Sequence, residues 1–162
     1  MRKWLLFGIF LLFLFLPACA QSSPRDFYSC TINEGPVCTI WLGMTSDEVT
    51  SAISVNSNFY NDKTRTDIIR FKWQDDILAS FSCDSQRYQP VGIPFSSTRD
   101  EVLAHYAKDP AVTVAEQPNL LIASKTIDGT VYYVRYVLYG DNTIKEITVA
   151  TDLTLDPPQM PK

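Results

Sequence analysis

Apolar residues are distributed in two different ways along this chain. From Trp4 to Leu16 they run with one interruption, at Gly8, while beyond residue 28 they recur at spacings of two or of three and four. A helix over the first run, at roughly 1.5 Å per residue, reaches about 20 Å, short of the about 30 Å of hydrocarbon in a bilayer. Arg2 and Lys3 precede it and the small residues Ala18 and Ala20 follow it. A charged start, a short apolar stretch and small residues at its end predict a cleavable export signal over residues 1–18 and not a permanent span.

The periodic part contains an internal repeat. Ile40-Trp41-Leu42-Gly43-Met44-Thr45-Ser46-Asp47-Glu48-Val49 aligns, 53 positions on, with Ile93-Pro94-Phe95-Ser96-Ser97-Thr98-Arg99-Asp100-Glu101-Val102. Thr45 and Thr98 stand where a helix N-cap belongs, each with a glutamate three residues later, the pattern of a capping box. Asp47 and Asp100 suit the positive end of a helix. Val49, Ala52 and Ile53, and likewise Val102, His105 and Tyr106, continue at helical spacing, which predicts helices of about ten residues. Strand-like sequence follows each: 67–73 and 77–82 around Gln74-Asp75-Asp76, then 120–127, 130–139 and 143–150 around Asp128-Gly129 and Gly140-Asp141-Asn142. Asp-Gly between alternating runs is a strong hairpin signal. The expected fold class is α+β: two tandem helix-plus-antiparallel-β-meander units with the helices on one face of the sheet. The domain plan is a signal peptide (1–18), a tether (19–27), a first unit (28–87), a second unit (88–153) and a disordered proline-rich tail (154–162).

Two processing sites compete at the end of the leader. Leu16-Pro17-Ala18-Cys19 resembles a bacterial lipobox, which makes Cys19 an acylated first residue, and Ala18-Cys19-Ala20 also satisfies the small-x-small rule for a cut before Gln21. The polar stretch after Cys19 favours lipidation, and several acyl chains on one residue give stable anchoring. The remaining cysteines are Cys30, Cys38 and Cys83. An exported chain meets an oxidising compartment, where disulfides are the rule. The turn sequence Asn33-Glu34-Gly35-Pro36 between Cys30 and Cys38 favours that pair, with Cys83 able to take either partner.

Without the leader the chain carries 12 basic residues against 18 acidic ones, a formal charge of −6. Such a surface repels phosphate backbones, so no nucleic-acid partner is expected. With His105 as the sole histidine and no Cys-x-x-Cys, neither a metal site nor another cofactor is expected. No nucleophile elbow or phosphate loop is present. His105 reads as a structural histidine at the edge of a helix stripe, and the carboxylate pairs Asp75-Asp76 and Asp100-Glu101 as turn and helix-start chemistry. The chain is therefore read as a non-enzyme with no catalytic residue and no small-molecule substrate.

At Leu42-Gly43-Met44-Thr45-Ser46-Asp47-Glu48-Val49 the sequence resembles the SmpA/OmlA family of small bacterial outer-membrane lipoproteins, whose fold is similar to the repeat unit of the β-lactamase inhibitor protein. The first unit departs from the family at Asn56-Ser57-Asn58-Phe59-Tyr60, and the second has Ser96 in place of the glycine. With Cys19 lipidated, the leader's resemblance to Gram-negative lipoproteins implies outer-membrane sorting, since Ala20 and Gln21 follow Cys19 and no retention aspartate does; the cut before Gln21 instead gives a soluble periplasmic protein.

One pattern points to a surface for a partner. Along 130–139, Tyr132, Val134, Tyr136 and Leu138 share one face of a strand, and Val131, Tyr133, Arg135, Val137 and Tyr139 the other. Arg70 and Lys72 likewise alternate with Ile69, Phe71 and Trp73. Aromatic residues around arginine are the composition of interface hot spots. Tyr133, Arg135, Tyr139, Arg70 and Lys72 are thus the expected protein-binding residues. The expected function is a non-catalytic protein-binding module, anchored to the membrane by its N-terminal lipid and engaged with an envelope protein in outer-membrane assembly or maintenance. The alternative is a periplasmic inhibitor or immunity protein that blocks a hydrolase.

Overall fold

The computed structural model describes residues 23–33, 37–54 and 69–155. The leader, Cys19, Glu34-Gly35-Pro36, Asn56–Tyr60 and the tail from 156 lie outside the described residues. Pro24–Tyr28 forms a single 3-10 turn. β1 (Ser29–Ile32), β2 (Cys38–Trp41), α1 (Ser46–Ser54), β3 (Ile69–Gln74), β4 (Ile77–Cys83) and β5 (Tyr88–Pro90) follow in order. They are succeeded by α2 (Arg99–Tyr106), β6 (Thr113–Gln117), β7 (Leu120–Ile127), β8 (Thr130–Leu138) and β9 (Ile144–Ala150).

Both helix starts are built as the repeat predicts. The Thr98 backbone N–H donates to the Glu101 carboxylate at 2.8 Å, and the Glu101 N–H returns to the Thr98 hydroxyl at 3.4 Å. At Thr45 and Glu48 the same pair of bonds measures 2.8 and 3.3 Å. The backbone donation holds the Glu101 carboxyl below its ordinary value, with the Thr98 hydroxyl adding to it. Each threonine also forms an isolated antiparallel bridge, Thr45 to Ile77 and Thr98 to Thr143. The hairpin turns follow from local chemistry as well. Asp75-Asp76 and Asp128-Gly129 hold positive φ at both positions, which is the type I′ geometry matched to strand twist.

The fold class differs from the expectation. Strands take 49% of the structure and helices 20%, in two antiparallel sheets. One sheet has three strands in the order β2-β1-β5 and the other six in the order β3-β4-β9-β8-β7-β6. Two tandem helix-plus-meander units would each keep a sheet under its own helix. Instead β4 pairs with β9, fusing strands from both halves of the chain into one sheet. The segments placed ahead of the helices pair with one another as the second sheet. The helices are too short to serve as a covering layer: their buried side chains are Val49 and Ile53 in one, Val102 and Tyr106 in the other. Two residues one turn apart make a stripe far narrower than a six-stranded sheet. The strands supply most of the burial, from Cys30, Ile32 and Ile40 in the smaller sheet and Phe81, Leu121, Val134, Tyr136, Ile147 and Val149 in the larger. The span assigned to the tether also contributes, since Phe27 is buried and its ring meets Tyr106 edge-on at 5.8 Å.

Two buried tyrosine hydroxyls of this core are paired. Tyr106 and Tyr136 share a hydrogen bond of 2.6 Å. Burial pushes the Tyr136 phenol well above its ordinary range, and nearby Tyr106 adds to the effect. No helix among the described residues is long and apolar enough to cross a membrane.

Candidate protein-binding face

The side of the six-stranded sheet that faces away from Phe81, Val134, Tyr136 and Val149 is polar, and the strand registers set it out in rows. Arg70, Ser82, Thr148, Arg135 and Ile122 stand opposite one another across β3, β4, β9, β8 and β7. The next row runs Lys72, Ser80, Ala150, Tyr133 and Ser124. Short side chains fill the middle of both rows and long ones flank them.

Glu146 ties the first row together. One carboxylate oxygen accepts from Arg70 Nη2 at 2.7 Å and the other from Arg135 Nη2 at 3.4 Å. Arg70 Nε also donates to the Ser82 hydroxyl at 3.2 Å, and Arg135 Nη2 to the Thr148 hydroxyl at 3.0 Å. Asp84 approaches Arg70 at 3.7 Å. The two guanidinium groups thus each bond a hydroxyl of the row, Ser82 or Thr148, and share one carboxylate. Thr148 and Ser80 are 0% exposed beneath this arrangement, and Arg135 itself only 3%. The Ser80 hydroxyl has no hydrogen-bond partner among the described residues.

The five residues expected at the binding face divide into two tiers. Arg70 and Lys72 are exposed on β3, and Tyr139, just past the end of β8, is 52% exposed. Tyr133 is half-buried and Arg135 is only 3% exposed, so Arg135 is a positioning residue under the surface and not an exposed anchor. A register shift after Val137 lies beside Tyr139. There Tyr139 receives the Lys145 ammonium over its ring at 6.0 Å and rims a basin of about 670 Å³ that reaches Glu146, Asp84 and Arg87. With Arg70, Lys72 and Arg135 against Glu146 and Asp84, the described residues of this face carry three cations to two anions on a chain that is acidic as a whole.

Glu146 and Thr148 are the functional candidates that sequence reasoning missed. Their signal was present as period-two alternation in Ile144–Ala150, but only the β8–β9 register makes them neighbours of Arg135.

His105 lies elsewhere, in a cleft of about 560 Å³ with Phe27, Tyr106, Lys108, Asp109 and Lys125. Partial burial lowers its pKa, and the Lys108 ammonium lowers it further. Lys125 and Asp109 pair at 2.6 Å, and that hydrogen bond holds the Asp109 carboxyl below its ordinary value. Among the described residues no group of three histidine, cysteine or acidic side chains is placed to hold a metal ion. Cys30, Cys38 and Cys83 are buried free thiols.

No known protein family, characterised protein or solved structure matches the chain.

Proposed function

We propose that this chain is an envelope lipoprotein, acylated at Cys19 and sorted to the outer membrane, that acts as a non-catalytic protein-binding module. Its partner is an envelope protein that docks on the polar face of the six-stranded sheet. The observation that carries this reading is the paired clamp of Arg70 and Arg135 on Glu146, with Lys72 and Tyr139 exposed beside it. Charged groups held in place by one another lose little freedom on docking, and an exposed tyrosine beside arginine is the usual make-up of an interface anchor. The excess of cations selects a partner whose contact surface is acidic. The resemblance at Leu42–Val49 to the SmpA/OmlA lipoproteins supports a role in outer-membrane assembly or maintenance.

Affinity purification from crosslinked cell envelopes tests the proposal. The wild type is expected to retain one envelope protein that the Arg70→Glu, Lys72→Glu double variant loses, with the acyl group found on Cys19. Retention of the same protein by the double variant at wild-type yield contradicts the assigned face, and a first residue of Gln21 without acyl chains contradicts the anchor. Recovery of a hydrolase whose activity the chain suppresses turns the result towards the inhibitor reading.

A further inference from the structure

Cys30 and Cys83 meet where the chain crosses from one sheet to the other. β4 ends at Cys83, and the four residues Asp84–Arg87 deliver the chain to β5. That strand lies against β1 with Pro90 opposite Cys30 and Tyr88 opposite Ile32, and the Asn33 N–H donates to the Arg87 carbonyl at 2.9 Å. The short crossing carries the chain from the end of β4 to the strand beside β1, and the Cys30 side chain neighbours the Cys83 thiol closely enough to act on it, while the two thiols donate to the Thr31 carbonyl at 3.7 Å and the Ile147 carbonyl at 3.9 Å. Both residues are fully buried. Cys38 stands differently: its partner across the ladder is Ile32, while Cys30 faces Ile40. Diagonal positions in an antiparallel pair are about 7–8 Å apart, beyond the Cα separation of about 4.4–6.8 Å that a disulfide accepts.

We propose that Cys30 and Cys83, not Cys30 and Cys38, are the disulfide pair of this protein, a bond that fastens the three-stranded sheet to the six-stranded one. In its formation the two sulfurs join, and two thiol protons and two electrons pass to a disulfide oxidant, either oxidised glutathione or the disulfide of a thiol oxidase, which leaves as two thiols. Occurrence of the bond in the cell rests on the export reading above; the pairing itself does not. Burial pushes the Cys83 thiol well up, and the adjoining Cys30 thiol adds to the rise, so the attacking thiolate is scarce and uncatalysed oxidation is slow. Once formed, the bond is sheltered from soluble reductant by the same burial.

The test is to oxidise the full reduced chain with oxidised glutathione, alkylate it, digest it without reduction and map the peptides by mass spectrometry. The expected result is a linked peptide pair containing Cys30 and Cys83, with Cys38 alkylated. The bond closes a loop of 53 residues, so the oxidised form is expected to melt about 10 °C above the reduced one. Cys38→Ser is expected to change neither outcome. A Cys30–Cys38 link, glutathione adducts on Cys30 or Cys83 without a link, or an unmoved melting point overturns the proposal. The link formed in vitro, together with reduced thiols in intact cells, supports the pairing and counts against export.

Discussion

Arg135 and Tyr136 are neighbours on β8, both almost completely buried, and they are buried for opposite reasons. Tyr136 lies in an apolar cluster with Val134, Ile147 and Val149, its one polar atom matched to Tyr106. Arg135 lies on the other side of the same strand, bonded to the Thr148 hydroxyl and held by Glu146. On the first side water is excluded by interlocking carbon. On the second the buried guanidinium is matched by a carboxylate and a hydroxyl. One sheet thereby separates two tasks: its inner side supplies stability, and its outer side presents charge in a fixed arrangement.

Substitutions can break that comparison in a definite order. Tyr136→Ala leaves a cavity and strands the Tyr106 hydroxyl, with an expected loss of about 3–5 kcal/mol in denaturant unfolding. Arg135→Glu sets a second carboxylate against Glu146 in a dry position, with an expected loss of about 3 kcal/mol. Arg135→Met, which keeps the stem over Thr148, is expected to cost less than half of that. A larger loss for Arg135→Met than for Tyr136→Ala would overturn the distinction between the two sides. Thr98→Ala removes a cap bond common to both helix starts and is expected to cost about 1 kcal/mol, with Thr45→Ala giving the same value within error.

A pH titration separates the sheet from the cleft that holds His105. Its pKa is lowered in the folded chain, by burial first and by Lys108 second. Below about 6.5 the unfolded chain takes up the proton more readily. Stability is therefore expected to fall as pH drops through that value towards the folded pKa, and His105→Gln is expected to flatten the slope. The smallest stability effect belongs to Arg70→Ala. Its pair with Glu146 is half-exposed, so the change should stay within about 1 kcal/mol.

Local structure was legible wherever a short-range rule applied. The capping boxes at Thr45 and Thr98, the turns at Asp75-Asp76 and Asp128-Gly129, and strands β7, β8 and β9 lie within a residue or two of where alternation places them. Assembly was not legible in the same way. Nothing in Ser29–Ile32 or Tyr88–Pro90 announces that these segments pair with each other, since β5 has three residues and ends in proline. β6 was missed because its side chains are nearly all exposed, which leaves no apolar alternation to read at a sheet edge. The candidate site shows the same limit. Arginine and tyrosine on β8 were visible, but the carboxylate that positions them comes from β9 and enters only through register.

The most direct measurement places a photo-crosslinking residue at position 72 or 139, on the polar face, and at position 37, which is exposed on the chain leading into β2, and irradiates living cells. The account predicts that positions 72 and 139 capture the same envelope protein and that position 37 captures none. Adducts at position 37 alone, or different proteins at 72 and 139, would contradict it.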